Sequence, residues 1–116
     1  MRRAGRVDVA MDVRVTAADG GFNGTSANIG TGGLFLVADQ LSRIGEELLL
    51  SFRLPVLEEQ LDVRAEVRWL RGDALSDDGK PLGMGLRFVA LSIDETLTLR
   101  DFVRAVEDDA SIVKTR

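Results

Sequence analysis

A small antiparallel β-barrel followed by one C-terminal helix is the fold class this chain predicts, and two observations predict it. Apolar and polar residues alternate over residues 7–16 and again over 61–69, as in strands with one face buried. From Ser92 onward the period lengthens, and Leu99, Phe102, Val103 and Val106 fall at i, i+3, i+4 and i+7, the apolar stripe of an amphipathic helix. Left as an open sheet, the six short strands read below would expose two unpaired edges. Closing the sheet on itself removes both.

The first strand turns Val7, Val9, Met11, Val13 and Val15 inward, with Asp8, Ala10, Asp12, Arg14 and Thr16 between them. Asp19-Gly20-Gly21 is a hairpin turn signal. Phe22 to Ala27 reads as a short return strand, although Asn23-Gly24 can break it. Asn28-Ile29-Gly30-Thr31-Gly32-Gly33 then reads as a tight, shaped turn, because glycine is placed where φ must be positive or where something must approach the backbone closely. Leu34 to Val37 follows as a buried third strand. Residues 39–45 are polar and irregular, a connection. Leu48, Leu50, Phe52 and Leu54 define a fourth strand over 47–54 that ends at Pro55. The fifth places Leu61, Val63, Ala65, Val67 and Trp69 on one face, and that phase puts Trp69 in the core. Residues 72–81 form a polar loop, and Asp77-Asp78-Gly79 within it lacks the spacing of a calcium loop. Met84, Leu86 and Phe88 make the sixth strand, with Gly83 and Gly85 allowing a bend. Ser92 and Glu95 fit a capping box that starts the helix, and the acidic run Glu107-Asp108-Asp109 predicts fraying at its end. The expected organisation is a single domain: a flexible arginine leader at 1–6, the barrel at 7–89 and the helix at 92–108, either capping one mouth or packed outside.

The 116 residues suffice for one core. Cysteine and histidine are absent, which removes disulfides, thiolate metal sites and the commonest general base. Lys80 and Lys114 are the only lysines, both in segments read as loop or tail, so an enzyme is not expected. No apolar stretch reaches the ~20 residues of a membrane helix, and no apolar region follows the first arginines as in a secretory signal. Membrane insertion is not expected, and a cytoplasmic location is. The net charge of −4 argues against binding a DNA or RNA polymer. Arg2, Arg3, Arg6 and Arg14 nevertheless crowd the first fourteen residues against only Asp8 and Asp12. A local basic end on an acidic protein suggests a small anionic ligand, and the alternative is a solvated charged tail. The amide side chain, hydroxyl and backbone N–H groups of the glycine turn can also hold an anion.

Arg2-Arg3-Ala4-Gly5-Arg6 contains R-x-x-x-R, and Asn28-Ile29-Gly30-Thr31-Gly32-Gly33 contains N-x-G-x-x-G. Separated by one strand hairpin, the pair resembles the two motifs of the PilZ domain family, R-x-x-x-R and [D/N]-x-S-x-x-G. Gly32-Gly33-Leu34-Phe35, Val67-Arg68-Trp69 and Gly83-Met84-Gly85-Leu86-Arg87-Phe88 are similar to that family too, so the resemblance spans Arg2 to about Val106. It implies a six-stranded split barrel with a C-terminal helix and binding of the bacterial second messenger cyclic di-GMP. Arg2 and Arg6 then contact phosphate and guanine, since a guanidinium donates in pairs to phosphate oxygens or to guanine O6 and N7 and stacks on bases. Arg3 assists. Asn28 meets a guanine edge or fixes the turn, and Gly33 admits close backbone approach. Gly30 stands where the family pattern has a serine hydroxyl, and losing one such hydrogen bond costs about tenfold in affinity.

The expected function is a cyclic di-GMP-binding effector or adaptor in motility or biofilm signalling. The ligand orders the arginine leader, and the changed surface is read by an unidentified protein partner, because 116 residues leave no room for an output domain. No cofactor besides that ligand is expected, no metal, and a monomer or weak homodimer. The alternative is a degenerate PilZ domain that binds no nucleotide and serves only as a protein-interaction adaptor.

Overall fold

The computed structural model describes residues 5–72 and 82–108. Seven strands, β1 (Arg6–Asp8), β2 (Asp12–Ala17), β3 (Gly20–Gly30), β4 (Gly33–Val37), β5 (Glu47–Leu54), β6 (Glu59–Arg71) and β7 (Gly83–Val89), precede one helix, α1 (Ile93–Asp108). Every pairing is antiparallel. The order β3-β2-β5-β6-β7-β4 closes through β4 back onto β3, a six-stranded barrel, and β1 adds to β3 beyond the end of β2. The inward faces of the barrel and the helix stripe Leu99, Phe102, Val103 and Val106 belong to one buried cluster. The helix neither stands apart from the barrel nor frays at its acidic end within the described residues. It packs on β1 and β3 and runs through Glu107 and Asp108. Its start is the expected capping box: Glu95 N–H donates to Ser92 Oγ at 3.0 Å and Ser92 N–H to Glu95 Oε1 at 2.9 Å.

The long first strand divides. β1 and β2 pair successive stretches of the same edge of β3, and residues 9–11 step between them. Val9 and Met11 stay buried, so the alternation runs through the break unmarked. Ser26 holds the step. It is the one buried polar residue among the described residues, 2 % exposed. Its Oγ donates to the Val9 carbonyl at 2.6 Å and accepts from Met11 N–H at 3.1 Å. Ser26→Ala leaves both backbone groups without that partner and is expected to cost about 1–3 kcal/mol. Urea denaturation reads this directly; a change below about 0.5 kcal/mol would show that the step holds without the hydroxyl.

β3 is longer than the sequence suggests at both ends. The hairpin turn is Ala18-Asp19, with Ala17 paired to Gly20. At the other end, residues 28–30 are strand and not turn, and only Thr31 and Gly32 connect β3 to β4. Ladder bonds from both sides decide this: Asn28 pairs with Asp8 of β1 and with Phe35 of β4. Arg6 likewise is not part of a leader but the first residue of β1, opposite Gly30.

Candidate functional site

Two β-bulges build the site. Between Ser26 and Asn28 the register of β3 on β4 slips by one residue, and between Val67 and Trp69 that of β6 on β7 does the same. A one-residue slip moves the following side chains to the other face of the sheet. Trp69 therefore leaves the core phase of Leu61, Val63, Ala65 and Val67 and stands 51 % exposed on the outside of the barrel. The core assignment made from its alternation is corrected. Asn28, Phe35, Gly85 and Trp69 now form one transverse row across β3, β4, β7 and β6.

Glycines on β7 clear the floor of that row. A Cβ on Gly85 would lie 2.0 Å from Trp69 Nε1, and one on Gly83 2.2 Å from Phe35 Cζ. These glycines are spaces for two rings and not the bend expected of them. Phe35 and Trp69 meet with centroids 5.0 Å apart and planes tilted by 31°. The Arg71 guanidinium lies 4.4 Å from the Phe35 centroid, a cation–π contact.

Around the row opens a cleft of about 580 Å³, lined by Arg6, Asn28, Gly32, Gly33, Phe35, Arg68, Trp69, Arg71 and Arg87 among others. Four guanidinium groups of the described residues thus gather on a chain whose net charge is −4. Glu66 is the local counter-charge, 3.5 Å from both Arg68 and Arg87. These pairs are half exposed and weak, so both arginines can turn to a stronger anion. The arrangement suits a ligand with flat rings and phosphates: an aromatic face for stacking, forked donors for oxygens, and an amide able to give and accept. Among the described residues no acidic or other cluster can hold a metal ion, and no helix is long and apolar enough to cross a membrane.

Of the residues singled out in the sequence, Arg6 and Asn28 come together. Arg6 Nη2 donates to Asn28 Oδ1, a bond spanning twenty-two positions in the chain that joins the arginine motif to the glycine motif. Gly33 lines the cleft, but its missing side chain serves the barrel: a Cβ there would lie 2.0 Å from the Leu86 carbonyl oxygen. Gly30 is buried and lies outside the cleft lining, covered by Gly5 and Arg6. Arg2 and Arg3 lie outside the described residues. The residues missed are Trp69, Phe35, Arg68, Arg71 and Arg87. Only Trp69 left a trace in the sequence, the consecutive apolar pair Trp69-Leu70 just after the bulge; the others are brought to the cleft by strand pairing that local sequence does not display.

A family model described as "PilZ domain" matches residues 1–105. Among solved structures, the inhibitor of motility MotI/DgrA of Bacillus subtilis is 29 % identical with a TM-score of 0.77, over 94 % of this chain and 53 % of that one. The PilZ domain of YcgR from Escherichia coli, solved with c-di-GMP, is 13 % identical with a TM-score of 0.74, over 95 % of each chain. The MrkH–c-di-GMP complex of K. pneumonia is 13 % identical with a TM-score of 0.75, over 96 % of this chain and 55 % of that one. The last two likenesses speak to the fold. The chain spans about half the length of MotI/DgrA and of MrkH. Among curated proteins none matches by sequence.

Proposed function

Because this chain belongs to the PilZ domain family, we propose that it is a cyclic di-GMP receptor that signals to a partner protein by binding and not by catalysis. The observation that carries the proposal is the Arg6–Asn28 hydrogen bond, which brings both halves of the nucleotide motif to the rim of one cationic, aromatic cleft. Arg6 holds phosphate and a guanine edge, Asn28 a guanine edge, and Trp69 offers its face to a base. Arg68, Arg71 and Arg87 complete the phosphate surround. Arg2 keeps the phosphate and guanine role that the family motif implies, and Arg3 assists it. β1 touches both the cleft and α1, so a ligand gripping Arg6 acts on the strand beneath the helix. The surface of β1 and α1 is the one a partner reads.

Isothermal titration of the folded protein with cyclic di-GMP tests this. Heat at tens of micromolar ligand or below is expected, and its absence sinks the receptor. Trp69→Ala is expected to weaken binding about five- to hundredfold, since base–aromatic stacking is worth about 1–3 kcal/mol. Trp69→Phe should recover part of the loss. An unchanged dissociation constant in Trp69→Ala would remove the stacking role.

The second reading is the adaptor that binds no nucleotide. Gly30 favours it, because glycine has no hydroxyl to offer where the family motif has serine. A silent titration with an intact fold would select it.

A further inference from the structure

We propose that Gly30 is the seat of the start of β1: its missing side chain is the space in which the Gly5 carbonyl and the Arg6 stem lie, and this holds Arg6 at Asn28. A Cβ on Gly30 would come 2.2 Å from the Gly5 carbonyl oxygen and 2.9 Å from Arg6 Cγ. The first distance is impossible without moving backbone. Gly30 is not among the glycines with positive φ, so its backbone conformation does not demand glycine. Space does. Gly5 does have a positive φ, +82°, and lies directly before the β1 residue paired with Gly30. The two glycines act together, one turning the chain and the other receiving it. Gly30 also lies outside the cleft lining, so a hydroxymethyl group at this position enters the space of Gly5 and Arg6 and not the cleft.

The departure from the family pattern is therefore an exchange and not a loss. Glycine offers no hydroxyl but leaves room for β1, which is held by its own backbone pairing, by the Ser26 clamp behind it and by the Arg6–Asn28 bond. A guanidinium held in place by the protein spares the ligand the ordering cost of capturing it. The affinity part of this inference rests on the receptor reading; the structural part stands without it.

The test has two arms. Amide hydrogen exchange on the protein without added nucleotide compares β1 with β5 and β6. Gly30→Ala is expected to lower protection of the β1 amides by about tenfold or more while β5 and β6 keep theirs. Gly5→Ala should reproduce this by straining the turn, with no described residue within 4 Å of its new Cβ to disturb the barrel. In titrations Gly30→Ala binds cyclic di-GMP about tenfold more weakly, and Gly30→Ser, despite its hydroxyl, binds no tighter than the parent. Unchanged β1 protection in both alanine variants overturns the seat, and so does a Gly30→Ser protein that binds more tightly than the parent. If the parent binds no nucleotide, the receptor reading fails while the exchange arm still decides the seat.

Discussion

Arg6→Ala is expected to lower cyclic di-GMP affinity by about a hundredfold or more. Each hydrogen bond to a charged group is worth about 1.5–3 kcal/mol, and a guanidinium that grips phosphate or guanine makes at least two. Arg6 also ties the two motifs together, because it is the residue that bonds Asn28 across the β1–β3 ladder. Its loss removes the proposed ligand contact and releases the Asn28 amide from its set orientation. Arg6→Lys separates the two contributions. Lysine keeps the charge but not the planar fork, so it should recover only a small part of the affinity. Titration calorimetry measures all three proteins. If Arg6→Ala binds within about threefold of the parent, the ligand does not use this arginine and the proposed cleft is the wrong one.

Phe102→Ala is expected to cost about 3–5 kcal/mol of folding stability. The side chain is 0 % exposed and sits in the middle of the α1 stripe, in the same cluster as Val7, Val9 and Ile29. A domain of this size has about 5–15 kcal/mol in total, so this one change takes a large share. Because α1 packs on β1 and β3, the cavity opens beneath the strand that carries Arg6. Guanidinium denaturation should show the midpoint falling steeply while the m-value stays near that of the parent. A loss below about 1 kcal/mol would mean that α1 is an ornament on the barrel and contributes little to its core.

The two sequence motifs meet in the structure through Arg6 and Asn28, but the backbone between them is not the expected turn. Asn28-Ile29-Gly30 resembles a turn because three of the four positions 30–33 are glycine. It is a strand because β1 and β4 pair it from opposite sides, and a single sequence does not display long-range ladder bonds. Trp69 was misassigned for a related reason. Alternation assigns a face by counting residues, and a bulge adds one to the count; the extra residue, Arg68, is itself polar and so keeps the pattern looking regular. Gly83 and Gly85 were visible but their purpose was not, since the rings that fill them come from positions 35 and 69.

Local chemistry settled what this chain is: period-2 strands, a capping box, an i, i+3, i+4 stripe and two short motifs are all written in near neighbours, and they suffice for the barrel, the helix and the family. Tertiary packing settled where the chemistry faces. The Asn28–Phe35–Gly85–Trp69 row, the four guanidiniums around it and the closeness of Gly30 to Gly5 each depend on residues dozens of positions apart. Which glycine is a turn, which a floor and which a seat depends on the atoms that approach it, and those come from elsewhere in the chain.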